Sequence, residues 1–303
     1  MYPTRSRRVG LAILTSAAML LTITVAQAAA KQYSAWSTAA SIETLPGSSS
    51  GVNTAFVDGC PIQSPDGLSL YIASTRSPGG LGGIDLWVAH RPSTAVGFGT
   101  PVNLGPVINS AADDFCPTPV RGKGLYFVST RGGNADIYFS RNHPVTGWSA
   151  PVRLPDAVNS ALPEFSPSYF EADGRAFLYF SRGPDIYSAE RQADGTWGSV
   201  GPVAALNSAV ADFRPNVRKD GLEIVFDSNR GGAGGQDLYF ASRSGVDAAW
   251  STPVNAGSAI NTAANETRGS FSWDAATLVF GRAPAPEGMS DIYFATRTKV
   301  GGG

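Results

Sequence analysis

Five acidic residues recur at equivalent places in this chain of 303 residues: Asp58, Asp114, Glu164, Asp212 and Glu266. A ring of carboxylates can hold a cation or an amine, grip the polar groups of a sugar, or supply the acid–base pair of glycoside hydrolysis. Each acid stands five positions after an Asn: Asn53, Asn109, Asn159, Asn207 or Asn261. Each is followed by an Arg (Arg76, Arg131, Arg182, Arg230, Arg282) and then by an Asp-Ile/Leu-Tyr/Trp triplet starting at Asp85, Asp136, Asp185, Asp237 or Asp291. Two residues past the acid the pattern loses its symmetry, reading Cys60, Cys116, Ser166, Arg214 and Arg268. Asp58, Asp114 and Glu164 therefore lack a basic neighbour there, while Arg214 and Arg268 can neutralise the last two acids. Asp58, Asp114, Glu164, Arg214 and Arg268 are the ligand-binding candidates, and no residue is assigned as catalytic. The competing reading is structural. A residue present in every repeat serves every repeat's geometry, and an acid near an Asn can fix a loop by accepting backbone N–H bonds.

The elements that carry these residues read as strands. The period is about fifty residues, in the range of propeller blades or solenoid units. In the second repeat, Asp114-Phe115-Cys116-Pro117 opens an inner strand A, Leu125–Ser129 forms strand B, Asp136–Ser140 strand C, and Trp148–Val152 an outer strand D where a Pro is tolerated. Turn signals separate A from B, as in Ser64-Pro65-Asp66-Gly67 and Lys219-Asp220-Gly221. There are five A-B-C sets, and five D-like segments begin at Trp36, Phe98, Trp148, Trp197 and Trp250. The first D precedes the first A, and none follows the last C. Trp36–Leu45 is thus expected to pair with Asp291–Thr296 and close a ring. The fold class expected is all-β: a five-bladed β-propeller with four antiparallel strands per blade, closed by the N-terminal strand completing the last blade. The D-to-A and B-to-C connections then share one face, which gathers the Asn, acid and Arg residues and the Gly-rich loops at the channel mouth. An ion pair between each Arg and its strand-C Asp is expected to bracket the B-to-C loop.

The Ser-Pro-Asp-Gly turn, the strand-B endings Ser74-Thr75-Arg76, Ser129-Thr130-Arg131 and Ser228-Asn229-Arg230, and the Asp-Ile/Leu-Tyr/Trp starts carry a resemblance. Together they resemble the TolB-like family of WD-type β-propeller repeats over the whole mature chain. Lys123-Gly124 and Asp274-Ala275 depart from it, replacing Asp-Gly in two turns. The resemblance implies binding or scaffolding in the cell envelope and no catalytic residue.

Bulk properties narrow the rest. Arg5, Arg7 and Arg8, an apolar stretch from Val9 to Val25 and Ala26-Gln27-Ala28 read as a secretory signal over residues 1–30, leaving a single propeller domain over 31–303. The expected location is periplasmic or secreted, with no membrane span in the mature chain. Removing those three Arg from 23 basic residues leaves 20 against 24 acidic, a formal charge of −4, which gives nucleic acid no footing. Cys60 and Cys116 are the disulfide candidate. They occupy equivalent inner positions of consecutive repeats, and a ring radius near 5 Å would bring their Cα atoms within the usual ~5.5–6 Å. His90 and His143 are the only histidines and lie in C-to-D hairpins, which disfavours a His-based triad or a standard zinc site, so no metal and no cofactor is expected. The function expected is a non-catalytic binding or scaffold module for an envelope protein or polysaccharide at the channel face. The alternative is a five-bladed-propeller glycoside hydrolase or lyase using carboxylates from the inner strands.

Overall fold

A computed structural model describes residues 33–300; the export signal expected over residues 1–30 lies outside the described residues. Five antiparallel sheets form the five blades. The inner A strands are Asp58–Gln63, Asp114–Val120, Glu164–Ala172, Asp212–Val217 and Asn265–Phe271. In every blade A pairs with B, B with C and C with D. The ring closes as the strand count requires: Ala40 pairs with Phe294 and Ser41 with Tyr293 on the last C strand, Asp291–Thr296. Tyr33 adds a bridge to Lys299 beyond it.

Strand D is shorter than the sequence suggests. In blades one, four and five it is two residues long (Val102–Asn103, Val254–Asn255, Ala40–Ser41) and begins after the aromatic that marks it. In blade two it splits into Gly147–Trp148 and Val152–Arg153. Phe98 and Trp250 are instead buried in the core, Phe98 with Ile72 and Trp87 and Trp250 with Phe226 and Tyr239. A short outer strand also offers little free edge to another chain.

The repeated triplet has a packing reason. Its aromatic residue lies opposite a strand-B side chain in register: Tyr138 opposite Phe127, Tyr187 opposite Phe180, Tyr239 opposite Phe226 and Tyr293 opposite Phe280. These ring pairs stack with centroids 6.1–6.2 Å apart. The repeated Arg covers them, as Arg131 does over both Phe127 and Tyr138 and Arg282 over Tyr293 at 4.2 Å. Each such contact contributes about 0.5–2 kcal/mol according to how dry it is.

Candidate functional site

The five acids are built into the blades. Asp58, Asp114, Glu164, Asp212 and Glu266 are all 0% exposed. Each meets the Arg at the end of its own strand B, with N–O distances of 2.5–2.8 Å. The remaining oxygen takes the backbone N–H of the residue after the Asn: Thr54, Ser110, Ser160, Ser208 or Thr262. That residue's hydroxyl also donates to the acid, to the remaining oxygen of the three Asp and to the Arg-bound oxygen of Glu164 and Glu266. The expected partner of the Arg was the strand-C Asp; the repeat acid takes that place because register sets it beside the end of strand B. The strand-C acids instead accept loop N–H groups, as Asp237 does from Ala233 and Gly234, or side-chain donors such as Arg153 on Asp136. Arg214 and Arg268 do not neutralise the repeat acids, which already have their own partners.

The residues two positions on behave differently from their acids. Cys60, Cys116, Ser166, Arg214 and Arg268 all have positive φ, between 48° and 57°. Each sits at a register shift between strands A and B, a bulge that re-aims the side chain. All five line the central channel, which narrows there to a cavity of about 30 Å³. The same side-chain sense as the acid, expected from simple alternation, is therefore lost. The Cys60 and Cys116 Sγ atoms lie 2.7 Å apart, both thiols free and buried. Ser166 Oγ donates to Cys116 Sγ at 3.2 Å, and the Arg268 guanidinium touches Cys60 Sγ. Arg214 pairs at 2.5 Å with Asp227, a fully buried acid that also accepts the Arg268 backbone N–H. A channel this narrow does not admit a sugar.

The open concavity lies on the other face, where the A-to-B turns converge. Three adjoining clefts of about 750, 490 and 420 Å³ share Trp273. That side chain is 41% exposed. Lys219 sits over its ring at 5.2 Å. The 490 Å³ cleft is also lined by Tyr169, Glu171, Asp220 and Lys123. Glu171 bonds Lys123 Nζ and the Tyr169 hydroxyl, and these two contacts hold its carboxyl below the usual range. Asp220 accepts from Arg218 Nε at 2.8 Å and from the Leu222 N–H, capping its turn. Sequence reasoning missed this cleft because it followed the residues that repeat. The available signal was the departures: Trp273 stands where the first repeat has Pro65, and Ala275, at φ 59°, stands where it has Gly67. Among the described residues no group of three or more His, Cys, Asp or Glu is arranged to hold a metal ion, and no helix is long and apolar enough to cross a membrane.

No family model and no curated protein matches this chain. Solved structures do. A thermostable family-43 glycoside hydrolase is 12% identical with a TM-score of 0.55, the match covering 84% of this chain and 93% of that one. The catalytic domain of the GH62 alpha-L-arabinofuranosidase of Coprinopsis cinerea is 14% identical with a TM-score of 0.54, over 88% and 98%. A putative TolB from Agrobacterium tumefaciens is 17% identical with a TM-score of 0.48, over 82% and 92%. At these identities the likeness is one of fold. It corrects the expectation of a non-catalytic binding or scaffold module, which rested on the TolB-like repeat. The neighbours of this fold with TM-scores of 0.54–0.55 are glycoside hydrolases, and nothing in the likeness favours a scaffold.

Proposed function

We propose that this chain is an exported saccharide-cleaving propeller whose sugar site is the cleft around Trp273. The observation that carries the reading is the non-repeated set Trp273, Tyr169, Glu171 and Lys123 in one open concavity of ligand size. An exposed indole offers a flat apolar face for the C–H side of a sugar ring, and the charged groups beside it suit the hydroxyls. Hydrolysis needs two carboxyl groups across the scissile bond. Glu171, held ionised by Lys123 and Tyr169, suits the base or nucleophile, and Asp220, lining the same cleft, is its partner. This moves the chemistry from the start of strand A to its far end, at Glu171, and to the turn after strand A, at Asp220. The TolB-like turns and strand endings are taken as blade chemistry and assign no substrate.

The neighbour that acts on arabinofuranosides makes pentose-containing polysaccharides the first substrates to try. Release of reducing sugar from such a panel is the measurement. Wild type should turn over at least one member, Glu171→Gln should lower that rate by roughly 10²–10⁴-fold, and Trp273→Ala should weaken binding of the same glycan. No release from any pentose or hexose polysaccharide, or release untouched by Glu171→Gln, overturns the reading.

A further inference from the structure

The channel holds chemistry that the saccharide cleft does not use. Two guanidinium groups, Arg214 and Arg268, face the channel with one buried carboxylate, Asp227. The groups that complete this ring are Ser166 and the two thiols, 2.7 Å apart and supplied by equivalent bulges of neighbouring blades. A Cys116 thiolate would balance the second guanidinium. Burial works against that thiolate, but the hydrogen bond from Cys60, the Arg268 charge, the Ser166 hydroxyl and the Arg214 charge outweigh it and bring its pKa down to about 6. Burial pushes the Cys60 thiol up, and its hydrogen bond to Cys116 adds to the effect. The pair is thus divided into an ionised nucleophile and a protonated neighbour within reach.

We propose that Cys60 and Cys116 form a redox-active pair that hydrogen peroxide converts into a disulfide between the first two blades. The size of the channel selects the oxidant. A cavity of about 30 Å³ has room for a molecule close to the size of water and excludes a tripeptide disulfide. The Cys116 thiolate attacks one peroxide oxygen, the O–O bond breaks, and the departing hydroxide takes up a proton to become water. Cys116 is left as a sulfenic acid. Cys60 then loses its proton and its sulfur attacks Cys116 Sγ. The S–O bond breaks, and the second oxygen leaves as water carrying that proton. Two thiols give up two electrons, the peroxide accepts them, and nothing else is consumed.

The test uses the reduced full-length mature protein, treated with hydrogen peroxide or with oxidised glutathione, then acid-quenched, unfolded and alkylated for mass spectrometry. Peroxide should remove both alkylatable thiols and leave a mass lower by two hydrogens, while oxidised glutathione over the same period leaves both thiols free. Cys60→Ser should accumulate a sulfenic acid at Cys116 that dimedone captures once the protein is unfolded, whereas Cys116→Ser should leave Cys60 unmodified. In wild type, the rate at which peroxide removes the two thiols, read by alkylation after acid quenching and unfolding, should reach half its maximum near pH 6, a readout that does not depend on either variant folding. Two free thiols after peroxide, equal reactivity of the two single variants, or glutathione disulfide acting as fast as peroxide each overturns the proposal. None of these outcomes touches the saccharide reading, whose residues lie on the other face.

Discussion

A buried carboxylate is costly unless it is paired and its remaining oxygen is hydrogen-bonded. All five repeat acids meet both conditions. Removing one charge leaves its Arg facing an uncompensated site. Asp212→Asn and Asp58→Asn should each lower unfolding free energy by about 3 kcal/mol in urea titration, with no distinction between the repeats that have a basic residue two positions on and those that do not. A stabilising effect at Asp58, Asp114 or Glu164 would show that crowded carboxylates there repel, contrary to the pairing described. The sequence made the acid, the Asn and the Arg visible, because they recur. It also displayed the Ser or Thr after every Asn, a partner that was legible and overlooked. It could not reveal which acid the Arg would choose, because both lie at the ends of paired strands and only register decides. Glu171 supplies a test by pH. Its folded pKa lies below the unfolded one, so its contribution is present above the ordinary Glu range and is lost as pH falls through the folded pKa. The stability difference between wild type and Glu171→Gln, followed by thermal melts at stepped pH, should close on the acid side of that range. A difference that persists at pH 2 would mean that the charge is not its source.

At the scale of elements, the D-to-A loops act as clamps between blades. Asn159 accepts the Ile137 N–H at 2.8 Å and donates to the Ile137 carbonyl at 2.9 Å, so its amide imitates one rung of a sheet on the previous blade's strand C. Asn53, Asn109, Asn207 and Asn261 make the same pair of bonds to Ile292, Leu86, Ile186 and Leu238. Asn159→Ala strands the buried Ile137 N–H, worth about 1–3 kcal/mol, and leaves the Ile137 carbonyl only the Leu154 N–H; the loss should appear as a lower urea midpoint with an unchanged slope. A midpoint equal to wild type would mean that the clamp carries no energy. The Gly-rich B-to-C loops complete the contact. Gly79 needs its φ of 109°, as the turn signal suggests. Gly82 is a glycine for another reason, since a Cβ there would overlap the Ala112 carbonyl of the next blade. Gly234 meets the Ala264 carbonyl in the same way, so the recurring glycine was visible in the sequence while the backbone it approaches was not. The bulges at Cys60, Cys116, Ser166, Arg214 and Arg268 were hidden because alternation predicts a side chain's face only while the strand stays regular.

For the whole molecule, the offset of one strand was enough to predict a closed ring, since strand number and order follow from counting repeats. The cleft was not predictable in the same way. It is made by residues that break the repeat, Trp273 and Glu171 among them, and counting averages such residues away. Closure has a mechanical consequence. Ala40–Ser41 completes the last blade, and Ile42 beside it is fully buried in the core shared with the first blade, against residues such as Ile72 and Phe98. Loss of that segment therefore opens two blades at once rather than fraying a terminus. Starting the chain at residue 47 instead of residue 31 should lower the melting temperature by roughly 10 °C or more, given the ~2–5 kcal/mol expected for Ile42 alone and the extra cost of an unpaired strand edge. Ile42→Ala should reproduce part of that fall with the ring still paired. Both variants should melt in one transition, because every blade leans on its neighbours through the same Asn clamps. An unchanged melting temperature after the deletion would mean that the N-terminal strand decorates the ring without closing it. A separate early transition would mean that the last blade unfolds on its own.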